Sequence, residues 1–248
     1  MVWGVVKQVL VAVVVAYILL GAVLFFSQKG MTYFPSQTSF EQCASFSADQ
    51  QVVLNEARMY VRGESEDFLV VYHGNAGRAC DRAHLERFSN RTLVLVEYPG
   101  YGGGEGSPSE KRFQVAVKEV VNWLEQQDPR SVAVLGESLG SSSAAYHATL
   151  ARVDKLLLVA PFERLAQVAR HHYGLFPVTW LLREEHPTAD YLASFDNELL
   201  VVHGAQDSVI PSWMSESLSE NRVVVEGAGH NDVYMYREAR VAIEEFLS

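Results

Sequence analysis

The sequence is poor in cysteine and in basic residues. Two cysteines among 248 residues are too few for the disulfide framework of a small secreted domain. Lysine and arginine total 20 against 30 acidic residues, and this net charge of −10 argues against general binding to phosphate backbones. With only 17 glycines and 8 prolines the chain is not fibrous, and an apolar share of 48% excludes a disordered one. A single globular domain with a sizeable core is expected.

Metal and nucleotide motifs are also missing. His171 and His172 are adjacent, and the segment 183–186 does not follow the H-E-x-x-H zinc pattern, so surface positions are the better interpretation. The glycines of segment 100–106 match neither G-x-G-x-x-G nor the P-loop, which also requires lysine followed by serine or threonine. We therefore predict no metal and no cofactor, and we interpret the glycine-rich segment as a flexible turn.

What the sequence does have is a long apolar run at its N-terminus. Gln8 to Gln28 contains no charge, and 21 helical residues measure about 31 Å, enough to cross the hydrocarbon core of a bilayer. A cleaved signal peptide is the nearest alternative, but its apolar region is usually shorter and ends in small residues, whereas this run ends at Phe25-Phe26. A buried core helix is the other alternative. We expect residues 1–30 to form an uncleaved, single-pass membrane anchor.

The charges around this anchor bear on its orientation. The α-amino group and Lys7 precede the run and Lys29 follows it, which favours a cytoplasmic N-terminus by one charge and an extracytoplasmic position for the rest. Cys43 and Cys80 are compatible with a disulfide in that compartment, and two unpaired thiols fit the sequence equally well. Residues 31–248 hold 18 basic and 30 acidic residues, a balance of −12 that favours solubility of this part.

Beyond the anchor, strand patterns alternate with helix patterns and no internal repeat is found. Residues 31–50 are interpreted as a connector, and residues 51–248 as the catalytic domain. Its short Val- and Leu-rich runs are typical of parallel strands covered on both faces, so the alternation predicts a three-layer α/β sheet. The predicted strands lie near residues 52–61, 68–72, 92–96, 132–135, 155–159, 198–202 and 222–225, and the predicted helices at 109–127, 139–150 and 232–247. Ligands on such sheets bind beyond the carboxyl ends of the strands.

One strand end carries a candidate nucleophile. Gly136-Glu137-Ser138-Leu139-Gly140 follows the strand at 132–135 and opens a helix. Glycines are needed because side chains at the flanking positions would collide on a tight turn that exposes the serine hydroxyl. The pentapeptide alone is a weak signal, and the strand–turn–helix context carries the prediction that Ser138 is the nucleophile.

A serine nucleophile needs a base that takes its proton and an acid that orients this base. Asp207 lies just past the strand at 198–202, and His230 lies just past the strand at 222–225. Taken singly, Asp207 could be a helix N-cap and His230 a surface-turn residue. Because all three residues follow strand ends, in the order Ser…Asp…His, we predict a catalytic triad of Ser138, Asp207 and His230.

Acyl transfer also needs backbone N–H groups that hold the oxyanion. The Leu139 N–H at the start of its helix is one candidate. The second is the Asn75 N–H, in the loop after the strand at 68–72, with Ala76 as the alternative. Supporting roles in loops are expected for His73, Gly74, Gly136, Gly140 and His203.

These segments together resemble the α/β-hydrolase superfamily, in particular the BEM46-like branch that includes the alpha/beta hydrolase domain-containing proteins 13 and 17. The resemblance covers about residues 50–248. It departs from the branch pattern at Pro99 and Gly104, where arginine and serine are usual, and this weakens any transfer of substrate preference. The matching segments are His73-Gly74-Asn75-Ala76-Gly77, Tyr98-Pro99-Gly100-Tyr101-Gly102, Gly106-Ser107-Pro108-Ser109-Glu110, Gly136 to Gly140, His203-Gly204 with Asp207 and Ile210-Pro211, and Gly229-His230.

The resemblance implies an α/β-hydrolase fold, with a mostly parallel central sheet and helices on both faces. It also implies hydrolysis of an ester, thioester or amide, and some eukaryotic relatives remove palmitoyl groups from proteins. Residues 162–195 are expected to form a small cap. Five of its apolar residues either line an acyl-binding pocket or pack on the sheet: Leu175, Phe176, Trp180, Leu181 and Leu182.

The predicted function is that of a membrane-anchored serine hydrolase. It cleaves an acyl ester or thioester through an acyl-enzyme, without a cofactor, metal or nucleic-acid partner. A peptidase or amidase with the same triad is one alternative. A non-catalytic, membrane-tethered binding protein on a hydrolase frame is the other, because one fold hosts many functions.

Overall fold

The computed structural model describes residues 2–248, and it begins with the 31-residue helix α1 (Val2–Thr32). Within the described residues, α1 is the one helix long and apolar enough to cross a membrane. Most of its side chains are exposed over the apolar run, from Val9 to Phe26. An α-helix satisfies its backbone hydrogen bonds internally, so an exposed apolar helix of this length is suited to lipid. This helix is a candidate membrane span.

The rest of the chain alternates strands with helices. The strands are β1 (Phe34–Pro35), β2 (Gln51–Val53), β3 (Arg58–Arg62), β4 (Asp67–Tyr72), β5 (Ala76–Gly77), β6 (Thr92–Glu97), β7 (Ser131–Glu137), β8 (Lys155–Val159), β9 (Glu198–Gly204) and β10 (Arg222–Val225). The later helices are α2 (Glu110–Glu125), α3 (Gly140–Leu150), α4 (Leu165–Tyr173), α5 (Val178–Leu181), α6 (Thr188–Leu192) and α7 (Arg237–Leu247). Short 3₁₀ segments cover Ala48–Gln50, Ala79–Phe88, Ser212–Ser215 and Val233–Met235.

Eight strands form one sheet in the order β2-β3-β6-β4-β7-β8-β9-β10. The six strands from β6 to β10 pair in parallel, while β2 and β3 complete one edge in antiparallel pairing. Val70 at the centre of β4 pairs with Val94 on one side and Val134 on the other. The mostly parallel sheet predicted from the sequence is confirmed. All the parallel strands end at one edge, where their following loops meet.

The strands alternate their side chains between two apolar cores, one on each face of the sheet. Val70, Val94 and Val134 pack toward α2 and α3, and the intervening leucines pack toward α7 and the Ala79–Phe88 segment. Ser109 is the N-cap residue of helix α2, and its hydroxyl accepts a hydrogen bond from the Arg112 N–H at 3.4 Å. Helices therefore cover both faces of the sheet, which explains why the sequences of the central strands are continuous apolar runs.

Several parts of the fold differ from the sequence-based expectations. The short parallel pair β1–β5 was not predicted, because two paired residues are too few to show a periodicity. The 3₁₀ segment Ala79–Phe88 was not predicted either. The last helix starts at Arg237 rather than near residue 232, because Val233–Met235 forms a separate 3₁₀ turn. The cap region 162–195 is divided into three short helices.

The segment 31–50 contributes directly to the core. Phe40 is buried and stacks on Tyr60 with ring centroids 4.2 Å apart, and the Tyr60 hydroxyl donates to the Phe40 carbonyl at 2.5 Å. Cys43 is joined by a disulfide to Cys80, with their Cα atoms 5.9 Å apart. Both cysteines are buried. The disulfide left open by the sequence is present, and it ties the segment after α1 to the chain just beyond β5.

Removing this disulfide should destabilise the protein. The loop it closes spans 37 residues, so the loss of its chain-entropy effect in the double variant Cys43→Ala/Cys80→Ala should lower the free energy of unfolding by about 2–4 kcal/mol. Urea denaturation of the full chain in detergent micelles measures this difference. Wild-type protein treated with dithiothreitol should behave like the variant. Equal stability of the variant and the untreated wild type would contradict the expectation.

Candidate active site

The turn between β7 and α3 holds Ser138 in an unusual backbone conformation. Its φ angle is +51°, in the left-handed region that residues with a side chain rarely adopt. The turn is also crowded. A Cβ atom on Gly136 would lie 2.7 Å from atoms of α3, and one on Gly140 would overlap the carbonyl oxygens of Tyr72 and His73. Glycine is therefore required on both sides of Ser138, and the turn presents the serine at the carboxyl edge of the sheet.

The structure brings together the three residues of the predicted triad. The His230 Nε2 atom lies 3.1 Å from the Ser138 Oγ atom, and its Nδ1 atom lies 2.6 Å from Asp207 Oδ2. Asp207 follows β9 and His230 follows β10, so the parallel strands deliver both to the edge where Ser138 lies. This is the arrangement in which an imidazole can take a proton from a hydroxyl while a carboxylate orients it.

Asp207 is buried and densely hydrogen bonded. Its Oδ1 atom accepts from the N–H groups of Val209 at 2.9 Å and Ile210 at 2.8 Å, and its Oδ2 atom also lies 3.3 Å from His203 Nε2. Burial alone would raise the pKa of the Asp207 carboxyl, but the hydrogen bonds from His203 and His230 outweigh it and hold this pKa far below its ordinary value. The carboxylate therefore stays ionised beside His230 at neutral pH.

The two predicted oxyanion donors lie beside Ser138. Within residues 2–248, no hydrogen-bond acceptor is found for the backbone N–H of Asn75 or of Leu139. Asn75 is fixed by its other groups: its carbonyl accepts from the Phe34 N–H at 2.9 Å, and its side-chain amide donates to the Thr32 carbonyl at 3.1 Å. The loop is thus held by the segment that directly follows α1, a connection that sequence reasoning missed.

His73 lies beneath the Asn75 loop rather than beside Ser138. Its Nε2 atom is 3.0 Å from Glu97 Oε1, its Nδ1 atom is 2.7 Å from the Gly74 carbonyl, and both side chains are fully buried. The other Glu97 oxygen accepts from the Ala79 N–H at 3.0 Å. These contacts fit a supporting role in the loop. No local pattern in the sequence indicated that Glu97 bonds to His73.

A further group near Ser138 was also missed. Glu137, one of the two variable positions of the pentapeptide, accepts hydrogen bonds from Arg82 Nε at 2.7 Å and from the Tyr234 hydroxyl at 2.8 Å. Arg82 is 55 residues away in sequence and Tyr234 is 97, so no spacing pattern could have indicated the group. It holds the Ala79–Phe88 segment and the segment after His230 against the nucleophile turn.

Two cavities of different character meet at Ser138. One of about 320 Å³ is mostly apolar, and the other of about 300 Å³ is lined largely by polar side chains. Both also touch Asn75. Residues that line the apolar cavity include Leu24 and Phe25 of α1 and Leu165, Val168, Leu181 and Leu182 of the cap. Residues that line the polar cavity include Asp81, Arg82, His84, Asn231 and Tyr234.

The five apolar cap residues named in the sequence analysis fall into three groups according to their contacts. Leu181 and Leu182 line the apolar cavity, and Phe176 stacks on Tyr17 of α1 with ring centroids 4.9 Å apart. Leu175 and Trp180 are 86% and 88% exposed, so the expectation that they line a pocket or pack on the sheet is wrong. The contribution of α1 to the cavity was not predicted.

One acidic cluster has the composition of a metal site. Ligand-type atoms of Glu110, Glu184 and His186 lie within 4.8 Å of one another. Glu184 already accepts hydrogen bonds from the Tyr33 hydroxyl at 2.8 Å and the Glu110 N–H at 2.5 Å. Burial lowers the pKa of His186 to about 3, so it is neutral at physiological pH, with its Nε2 atom 2.8 Å from the Tyr33 hydroxyl. Through these hydrogen bonds, the cluster connects the end of α1, the start of α2 and the cap.

Known proteins resemble this chain over most of its length. An uncharacterised protein of Mycobacterium tuberculosis is 32% identical over 265 aligned residues, which cover 96% of this chain and 94% of that protein. Human alpha/beta hydrolase domain-containing protein 17C is 28% identical over 207 residues, which cover 77% of this chain and 61% of the relative. The chain belongs to the α/β-hydrolase superfamily. The resemblance to domain-containing protein 17 inferred from the motifs is confirmed.

Solved structures of other α/β hydrolases have the same fold. An esterase of Pyrococcus furiosus matches with a TM-score of 0.65 and 14% identity, over 86% of this chain and 98% of that one. An alpha-beta serine hydrolase homologue from Coxiella burnetii matches with a TM-score of 0.61 and 18% identity, over 82% and 99% of the two chains. No family model matches the chain.

The crowding at the nucleophile turn can be tested with a matched pair of glycine variants. In Gly140→Ala the added methyl group overlaps two backbone carbonyls that cannot move independently, so the free energy of unfolding should fall by about 3 kcal/mol or more. Gly30→Ala adds the same group where no atom lies within 4 Å and should leave stability unchanged or slightly raised. Chemical denaturation in detergent measures both. Equal stability of the two variants would contradict the described turn.

Proposed function

We propose that this α/β hydrolase is a membrane-anchored serine hydrolase that cleaves a carboxylic ester or thioester. Superfamily membership supports a hydrolase. The observation that carries the finer assignment is the unbroken hydrogen-bonded series from Ser138 Oγ through His230 to Asp207. It lies on a strained turn that exposes the serine at the carboxyl edge of the sheet. Among the described residues that line the two cavities, Ser138 is the only serine.

The proposed reaction is a two-step acyl transfer. His230 Nε2 takes the hydroxyl proton of Ser138 as Oγ forms a bond to the substrate carbonyl carbon. The tetrahedral intermediate then collapses, the bond to the alcohol or thiol breaks, and His230 returns the proton to this leaving group. Water attacks the acyl-enzyme with His230 again as base, which releases the carboxylic acid and restores the Ser138 hydroxyl. Asp207 stabilises the imidazolium in both steps.

The oxyanion of each tetrahedral intermediate needs donors that are already in place. The N–H groups of Leu139 and Asn75 have no acceptor in residues 2–248 and flank Ser138, so we assign them to this role. Their position is fixed by the start of α3 and by the bonds of the Asn75 loop to Thr32 and Phe34. Stabilisation by such preorganised donors is typically worth about 3–4 kcal/mol of activation free energy.

The two cavities favour a substrate with an apolar and a polar half. An acyl chain fits the apolar cavity of about 320 Å³, since binding there removes apolar surface from water. The leaving group then occupies the polar cavity of about 300 Å³ on the other side of Ser138. This division supports an acyl ester or thioester over a peptide, whose chain is polar on both sides of the scissile bond.

Replacing Ser138 tests the catalytic assignment. Ser138→Ala removes the nucleophile and should lower turnover of p-nitrophenyl butyrate at least about a thousand-fold. Ser142→Ala makes the same chemical change in α3 and should keep wild-type turnover. Both variants should keep the free energy of unfolding within about 1 kcal/mol of the wild-type value. Unchanged hydrolysis by Ser138→Ala would contradict the mechanism, and absent hydrolysis and fluorophosphonate labelling in the wild type would favour a binding protein.

The membrane topology is also a proposal. We assign α1 as a single-pass anchor with the catalytic domain on the extracytoplasmic side. The α-amino group and Lys7 before the apolar run, against Lys29 after it, support this orientation by one charge. The disulfide between Cys43 and Cys80 supports it independently, because disulfides persist in oxidising compartments and are rare in the cytosol.

Single-cysteine reporters test this topology, since both natural cysteines are bonded. In spheroplasts of a bacterial expression host, Ser248→Cys should react with a membrane-impermeant maleimide. Val2→Cys, at the N-terminal end of α1, should react only after detergent is added. The reverse pattern would place the catalytic domain in the cytoplasm and contradict the assignment.

A further inference from the structure

Helix α1 is built into the cavity beside Ser138 as well as serving as a candidate anchor. Leu24, Phe25 and Met31 of α1 line the apolar cavity together with Leu181 and Leu182 of the cap. The cavity is therefore bounded by a candidate membrane span along part of its length.

Specific polar contacts fix α1 against the cap. The Gln28 side chain accepts from the Arg183 N–H at 2.8 Å and donates to the Leu181 carbonyl at 3.2 Å. Beyond it, the Tyr33 hydroxyl donates to Glu184 at 2.8 Å. These contacts involve backbone and buried groups on both sides, so the helix end has one defined position beside the cavity.

The cap also contacts α1 closer to the N-terminus of the helix, well before Gln28 and Tyr33. The Tyr17 hydroxyl donates to the Leu175 carbonyl at 2.8 Å, and its ring stacks on Phe176. Tyr17 precedes Lys29 by twelve residues, which places Leu175 about 18 Å from Lys29 along the helix axis, in the direction of the N-terminus. If Lys29 lies at the outer edge of the headgroup layer, the tip of the cap lies in the hydrocarbon layer of the same leaflet, because half of the whole bilayer is about 20 Å thick, including about 5 Å of headgroups.

The composition of this cap segment fits such a position. Residues 175–182 contain no charge, and two of their apolar side chains, Leu175 and Trp180, are 86% and 88% exposed. The backbone N–H groups of Phe176, Val178 and Trp180 are bonded within the cap. Exposed apolar side chains on a largely hydrogen-bonded backbone are what a lipid environment favours and what water disfavours.

We propose that the segment 175–182 inserts into one leaflet beside α1, and that the acyl chain of a membrane lipid ester enters the Ser138 cavity from within this leaflet. The proposal rests on the proposed function and names its substrate class. The acyl chain would pass between α1 and the cap, and the polar cavity of about 300 Å³ on the other side of Ser138 would take the lipid's polar group. Hydrolysis then releases a fatty acid and an alcohol by the two steps described above.

Charged substitutions at the exposed cap residues test this route. In phosphatidylcholine vesicles that contain 4-methylumbelliferyl oleate, the full-length variant Leu175→Glu/Trp180→Glu should lose at least ten-fold in turnover, because the charges keep the cap out of the leaflet. Its turnover of water-soluble 4-methylumbelliferyl acetate should stay within two-fold of wild type. The matched control is Val53→Glu/Val241→Glu, which adds the same two charges at residues of β2 and α7 that are 62% and 40% exposed, and it should alter neither rate.

Insertion itself is measured without a charged variant. Acyl chains brominated near their midpoint should quench more tryptophan fluorescence in the wild type than in Trp180→Phe, which keeps an apolar side chain and removes the reporter. Equal quenching in the two proteins would overturn cap insertion even if the charged variant fails to fold.

The remaining outcomes separate this proposal from the proposed function. Equal rates of the charged variant and wild type on the vesicle ester would overturn the leaflet route and leave a serine hydrolase. Wild-type hydrolysis of an S-palmitoyl peptide without hydrolysis of the vesicle ester would overturn the lipid substrate. Loss of turnover on both the oleate and the acetate ester in wild type, with no fluorophosphonate labelling, would instead overturn the proposed function.

Discussion

The close approach of α3 to the end of β4 is the constraint on which the active site depends. The first residue of α3, Gly140, lies so near the Tyr72 and His73 carbonyls that no side chain fits between them. This contact brings the nucleophile turn against the Asn75 loop, where Gly74 lies close to Ser138. It also forces the left-handed backbone at Ser138, which is stable only because the surrounding sheet and helix over-determine it. This packing contact therefore places Ser138 and the Leu139 N–H beside the Asn75 loop, whose own position is fixed by its bonds to Thr32 and Phe34.

The segment around the end of α1 has a second organising role. Thr32 and Phe34 are bonded to the Asn75 loop, Gln28 and Tyr33 are bonded to the cap, and Cys43 is bonded covalently to the chain beyond β5. Helix α1, the candidate membrane span, is thus connected to the Asn75 loop and to the cap, and it lines the cavity beside Ser138. This helix therefore contributes residues to the candidate active site itself.

Much of this arrangement could be predicted from the sequence, for identifiable physical reasons. The parallel strands are continuous apolar runs, the pentapeptide around Ser138 needs its glycines, and Asp207 and His230 follow strands whose ends share one edge. Features that depend on distant contacts could not be predicted. Arg82 and Tyr234 meet at Glu137 from opposite parts of the chain, and the cavity wall formed by α1 depends on how the cap packs against it. The outward orientation of Leu175 and Trp180 was mispredicted, because helical periodicity shows that a residue is apolar but not whether protein or lipid covers it.

The central claim is that Ser138, and no neighbouring serine, is the activated nucleophile. Three more serines follow at positions 141–143, so labelling of the intact protein alone does not identify the reactive one. The most direct measurement is tandem mass spectrometry of peptides from full-length protein treated with a fluorophosphonate, which locates the phosphonyl adduct on a single residue. One stoichiometric adduct on Ser138 is expected, and it should be lost when His230 is replaced by alanine. An adduct on a different serine, or an adduct on Ser138 that forms equally fast without His230, would contradict the central claim.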